Sequence, residues 1–375
     1  MKKSVYKLFC HLLLVIGFST FVVNITKGQE LALVPNNGNA TVSVIDVSTQ
    51  SVIDMLNVGG GPIAVAWHPS GRRIYVCNRL GQSISVFNFD GSVFAPLHTF
   101  NVGFASYGLS VKPDGTELWV ADDSNGEIKV YNASDPFNLI TTIGFPGTFN
   151  AWSVEFTPDG TKAIATSPFT SPGDIVFINT STYDPNFVTS SIPLGGLGSA
   201  ISRDGSRYAV VGGGMPVTDP GVLEIFDVNT EASITTIPIG IQPSSVVWSL
   251  DDSRIYVANF SSNSISVINA NTNLVVNTIT TNGSEPNGLD ISSDGNFLFV
   301  PLSGSNIVEV FSTVSESSIG EIMVGSIPVN IGRFIFRIHP IPTLSQWGWI
   351  ALSLLVGILG ILQLKYYATK KIKAT

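Results

Sequence analysis

A turn dipeptide recurs along this chain at a nearly constant interval. Ser70-Gly71, Asp114-Gly115, Asp159-Gly160, Asp204-Gly205, Asp251-Asp252 and Asp294-Gly295 follow one another at spacings of 44, 45, 45, 47 and 43 residues. A period in the forties with four short strands per unit is the pattern of a β-propeller blade. One repeat shows the logic. Gly108-Leu109-Ser110-Val111 reads as a short inner strand, and Pro113-Asp114-Gly115 as a turn in which glycine takes a positive φ. Glu117–Asp122 is a second strand, Asn125-Gly126 a hairpin signal, and Glu127–Tyr131 alternates polar and apolar residues as a half-buried strand must. Leu139–Ile143 completes the unit as the outer strand.

Six such repeats run from about Gly61 to Ile327. A seventh is split between the ends. Leu31–Asn36, Thr41–Ile45 and Ser51–Leu56 supply its outer three strands, and Pro328–Phe334 its inner strand. Pairing first and last segments in one blade closes the ring and removes open sheet edges. The expected fold is therefore all-β, a seven-bladed propeller over residues 29–338. The strings Tyr75-Val76-Cys77-Asn78 and Tyr256-Val257-Ala258-Asn259 resemble the YVTN family of propeller repeats. That resemblance implies the fold and says little about activity, since propellers host many functions.

The two ends read as export signals. Lys2, Lys3 and Lys7 precede the apolar run Leu8–Val23, so residues 1–28 are expected to be a signal peptide. At the other end, Ile341-Pro342-Thr343-Leu344-Ser345-Gln346-Trp347-Gly348 leads into an apolar segment, 349–364, and then a tail, 365–375, with four lysines. The segment suits a transmembrane helix, and the lysines place the tail on the cytoplasmic side. This order resembles the IPTL-CTERM sorting signal of bacterial proteins handled by an exosortase. Ile341, Pro342, Thr343, Leu344, Trp347 and Gly348 occupy its fixed positions, within a linker of residues 339–348. The resemblance implies a membrane peptidase as partner and display at the cell envelope, cell surface or extracellular matrix, after transient anchoring in the inner membrane.

Between the two ends the chain carries 11 Lys+Arg against all 27 Asp+Glu, a formal charge of −16. Such a surface repels phosphates and argues against nucleic-acid binding. Cys77 is the one cysteine of this region, so no intrachain disulfide staples it and the core must supply its stability.

Chemistry is sparse. The site of a propeller lies at the mouth of its central channel, and the repeat alignment exposes the residues that reach it. Eight residues before the turn glycine position stand Ile63, Tyr107, Trp152, Leu197, Ser244 and Asn287, with Val329 as seventh member. Tyr107, Trp152 and Asn287 make a candidate platform for a sugar or other ring-shaped ligand, although their blades need not touch. The next position holds the small residues Ala64, Gly108, Ser153, Gly198, Ser245, Gly288 and Asn330, suited to strands crowding the axis. A column at the end of the second strand (Asn78, Asp122, Ser167, Gly212, Asn259, Leu302) is expected to bond backbone groups there. The acidic string Asp122–Glu127 reads as a hairpin tip. His68, His98 and His339 pair with no aligned nucleophile. Two long insertions, 167–174 and 212–221, replace short hairpins in neighbouring repeats and should emerge on one face. Phe169, Met215 and Asp219 are their candidate contact residues.

These features indicate a binding or structural module that presents loops to an extracellular polysaccharide or surface protein, with no cofactor, metal or catalytic residue assigned. The alternative is an enzyme using the channel, either a lactonase-type hydrolase or a cofactor-binding propeller.

Overall fold

Each repeat forms one antiparallel four-stranded sheet, and the computed structural model holds seven of them. The structure describes residues 29–145, 147, 149–168, 174–214 and 218–338. The signal peptide, the sorting motif and the helix expected at 349–364 lie outside the described residues, as do His339, Phe169 and Met215. Blade 1 spans Pro62–Asn101, blade 2 Ser106–Gly144, blade 3 Ser153–Thr189, blade 4 Leu194–Ile241, blade 5 Pro243–Thr280 and blade 6 Asp290–Met323. Within each, chain order runs from the axis outward.

Burial follows that order. Glu117–Asp122, a second strand, is buried at every position, whereas the outer strand Leu274–Thr280 buries only Ile279. Middle strands are covered on both faces by neighbouring blades, so apolar residues fill both faces, as Leu118, Val120 and Trp119 do. The glycines behind the mouth ring answer to a different pressure. A Cβ on Gly108 would lie 2.8 Å from the Trp152 carbonyl oxygen, and one on Gly198 2.7 Å from that of Ser244. Neighbouring inner strands approach backbone to backbone there, and only glycine leaves room.

The lower turns are built alike. Thr157 Oγ1 and the Thr161 amide both donate to Asp159 Oδ1, and Ser202 with Ser206, Ser249 with Ser253, and Ser292 with Asn296 repeat this around Asp204, Asp251 and Asp294. The hydroxyl bonds lower the Asp251 pKa to about 2. Asp252 stands where the other turns have glycine, at a φ of 55°. Its carboxylate accepts the Arg203 and Asp204 amides of blade 4 at 2.7 and 3.0 Å. An inter-blade tie thus offsets the left-handed strain.

In the strand-end column Asp122 and Ser167 accept backbone amides as expected, whereas the asparagines, with Asn36 as their counterpart in the split blade, differ. Asn36, Asn78 and Asn259 donate to hydroxyls of the next strand, Thr41 and Ser43, Ser83 and Ser85, and Ser264 and Ser266, instead of to backbone. The hydroxyl ladder places its acceptors within reach of the amide, so the side chain crosses the hairpin.

The ring closes as expected, with one shift. The seventh blade is ordered Ile335–Arg337, Glu30–Asn36, Thr41–Asp46, Ser51–Asn57 from the axis outward. Residues 328–334, expected to be the inner strand, pair with the backbone of Glu30–Asn36 through just the Asn36–Pro328 bridge and the Val329→Pro35 and Leu33→Phe334 bonds among the described residues. Between them the Asn330 amide bonds Asn287 of blade 6 and the Ile331 amide bonds Ile63 of blade 1, drawing the segment off the ladder. The fully buried Asp290 carboxylate of blade 6 then accepts the Phe334 and Ile335 amides, each at 2.8 Å, and returns the chain to the ladder. Asp290→Ala would leave both amides unpaired. It should destabilise the fold by ~2–4 kcal/mol, measured by chemical denaturation, and speed amide exchange first in Glu30–Asn36 and 328–338.

Candidate functional site at the two ends of the channel

All seven residues of the predicted mouth ring converge on one cavity of ≈520 Å³ on the side of the second-to-third-strand hairpins, here called the upper side. Tyr107, Trp152 and Asn287 are among them. Tyr107 and Trp152 do touch. Their rings stack with centroids 3.7 Å apart at 26°, because blades 2 and 3 are neighbours and their inner strands nearly abut at Gly108. Asn287 lines the same cavity from blade 6. Pro168, Gly213 and Gly214 border it too, so both long insertions are rooted at its rim. Asp219 is exposed, and it does not line the cavity.

Arg79 was not foreseen. Its guanidinium lies 4.3 Å from the centre of the Tyr107 ring, so that the phenol is held between a cation and an indole. Arg79 is the one charged residue among those lining this cavity. Asp123 of blade 2 is close enough to feel its charge. Burial raises the Asp123 pKa and Arg79 partly opposes that. Burial likewise raises the Tyr107 pKa. Arg79 Nε and Asp123 Oδ1 are buried without hydrogen-bond partners. The signal lay one residue beyond the strand-end column, where Asn37, Arg79, Asp123, Pro168, Gly213, Phe260 and Ser303 show one cation beside one acid.

Other candidates serve the fold. Asp122 Oδ1 accepts the Ser124 and Asn125 amides and Oδ2 the Asn125 side chain, which makes its acidic string the hairpin tip expected. His68 Nε2 meets the Gly115 carbonyl of blade 2 at 2.9 Å, and burial lowers its pKa, as suits a neutral ring donating there. His98 stacks on Phe137. Cys77 is fully buried against Ser106 Oγ, and burial pushes its thiol up to about 12, far from a reactive thiolate.

The lower end of the channel is charged, which the two columns read from the sequence did not reveal. Three residues past the mouth ring the inner strands carry Ala66, Ser110, Glu155, Ala200, Val247 and Asp290. Glu155 and Arg333 line two adjoining lower cavities of ≈230 and ≈290 Å³, and Arg203 lines the second. Glu155 Oε1 accepts Ser199 Oγ at 3.3 Å and Oε2 the Ile201 amide at 3.2 Å. A hydroxyl chain continues from Ser199 through Ser153 to Thr166 at 3.1 and 2.7 Å. The carboxyl borders the channel void but is enclosed by protein elsewhere, and burial raises its pKa to about 7.

The family described as the IPTL-CTERM motif matches residues 339–365. No curated protein matches the chain in sequence. Among solved structures it is similar to a functionally unknown protein from Desulfotomaculum acetoxidans DSM 771, with a TM-score of 0.66 and 15% identity, covering 83% of this chain and 99% of that one. It is similar to Kuenenia stuttgartiensis hydrazine synthase, with a TM-score of 0.66 and 18% identity, over 79% and 98% of the two chains. A third, dihydro-heme d1 dehydrogenase NirN in complex with DHE, gives a TM-score of 0.59 at 14% identity, over 82% and 75%. Such identities carry the fold alone.

A carboxyl whose pKa is raised on folding contributes stability that is full below its usual value of 4.5 and is lost as pH rises through about 7. Wild type should therefore lose stability relative to Glu155→Gln between about pH 5 and pH 8, by up to ~3 kcal/mol, as read by denaturant titration at both pH values. The chain is an exported seven-bladed β-propeller with a C-terminal IPTL-CTERM motif, which implies processing by an exosortase-type enzyme.

Proposed function

We propose that this protein is a binding module of the cell surface or extracellular matrix, and that its upper channel cavity holds a ring-shaped ligand such as a sugar of an extracellular polysaccharide. The observation that supports the reading most is the Arg79–Tyr107–Trp152 stack on the wall of a ≈520 Å³ cavity. Sugar sites combine apolar ring faces with a few placed polar groups, and this volume falls within the range of small-ligand pockets. Asn287 and Ser244 line the cavity as polar groups, and Arg79 adds its guanidinium. Packing already orients the stack, so little ordering cost remains for binding. The long insertions rooted at the rim, with Phe169, Met215 and Asp219, extend the contact surface to a polymer.

One observation favours a second reading, an enzyme of hydrolase type acting in the channel. Glu155, with its pKa near 7, has the poise of a general acid or base.

Co-sedimentation of the protein with the producing cell's extracellular polymer separates the two. Saturable binding that weakens at least ~10-fold in Trp152→Ala and survives Glu155→Gln is the expected result. Absence of binding, together with lactone hydrolysis abolished by Glu155→Gln, would replace the module with the enzyme.

A further inference from the structure

We propose that the lower end of the channel is a binding site for a small oxyanion, a carboxylate or phosphate group held by Arg203 and Arg333. The site is distinct from the upper cavity and does not depend on what that cavity binds. Both arginines line the ≈290 Å³ lower cavity. They come from different elements: Arg203 precedes the blade 4 turn, and Arg333 belongs to the closing segment.

The hydrogen bonds at this end are divided unevenly. The acids are spoken for by the backbone. Asp290 accepts the Ile291, Phe334 and Ile335 amides, and Asp252 accepts those of Arg203 and Asp204. Glu155 accepts the Ile201 amide and the Ser199 hydroxyl. The cations are left over. Arg333 Nε stands 3.9 Å from Asp290 Oδ1, beyond hydrogen-bond distance. The half-buried Arg203 guanidinium has no hydrogen-bond acceptor among the described residues. Its N–H donors are rigidly arrayed and are open to an acceptor that enters the cavity.

The two cations also feel one another. Burial, and after it the charge of Arg333, pulls the Arg203 pKa below its usual range, against the opposing charges of Asp290 and Asp252. Two like charges line one cavity, and the nearby acids offset their repulsion only from behind the backbone amides they accept. An oxyanion meets both demands, because its oxygens accept guanidinium forks in bidentate fashion and its charge relieves the repulsion. Glu155 does not play that part, since its oxygens already accept Ser199 and Ile201 and its carboxyl resists ionising. Phe156 and Trp248 also line the lower cavity, but what sets it apart from the upper one is its pair of arginines.

Calorimetric titration of the full-length protein with inorganic phosphate and with malonate tests this. One site per chain is expected for at least one probe, weakened at least ~10-fold by Arg203→Gln and by Arg333→Gln, and unchanged by Trp152→Ala. Tighter binding of phosphate would identify the phosphate group, and tighter binding of malonate the carboxylate. The Arg333 side chain is 55% exposed, so its glutamine variant remains a valid test should Arg203→Gln fail to fold. The proposal is overturned if neither probe binds saturably up to ~10 mM, where binding free energy falls below ~3 kcal/mol, or if binding is equally strong in the glutamine variants.

Discussion

A propeller stands or falls with the joint that closes its ring. Here the joint is narrow: Ile335–Arg337 makes a three-residue ladder with Glu30–Asn36, and the approach to it, residues 328–334, wanders between two neighbouring blades. The Asp290 carboxylate compensates by holding two consecutive amides of the returning chain. A buried carboxylate is expensive unless main-chain donors surround it, and three do. Without the joint, Glu30–Asn36 would be left as an open edge.

Closure also creates the channel and makes its two ends unlike. Inner strands crowd at the axis, which selects glycine behind the mouth ring and lets Tyr107 and Trp152 meet across a blade boundary. At the other end residues of several blades line shared cavities in which Glu155, Arg203 and Arg333 stand among apolar side chains. Glu155 and Arg333 line the same cavities there, one from blade 3 and the other from the irregular closing segment, which runs from the upper cavity to the lower ones. The same irregularity that weakens the joint delivers a cation to the lower cavity.

Much of this was legible from local pattern. Turn spacing located the blades, counting back from the six turns named six residues that line the upper cavity, and the split repeat supplied Val329 as the seventh. Counting is reliable there because inner strands are regular and share one register. It failed at the closing segment, whose register depends on Asn287, Ile63 and Asp290, residues of other blades. It missed Arg79 for a related reason. The side chain leaves a hairpin and reaches over Tyr107 of the next blade, and a column of aligned residues carries no sign of such a reach. Glu155 stood in plain view in a column three residues from the ring, but its importance comes from enclosure, which alignment does not measure.

The sequence by itself determined the blade, the number of blades and the export motif. Each is written in short-range order: the two-residue alternation of strands, a turn that needs positive φ, and an octapeptide. Only the tertiary structure decided which ring residues touch, which charges face one another and which donors are left unmet. Those depend on angular position around an axis, and that position exists only after the last strand has paired with the first.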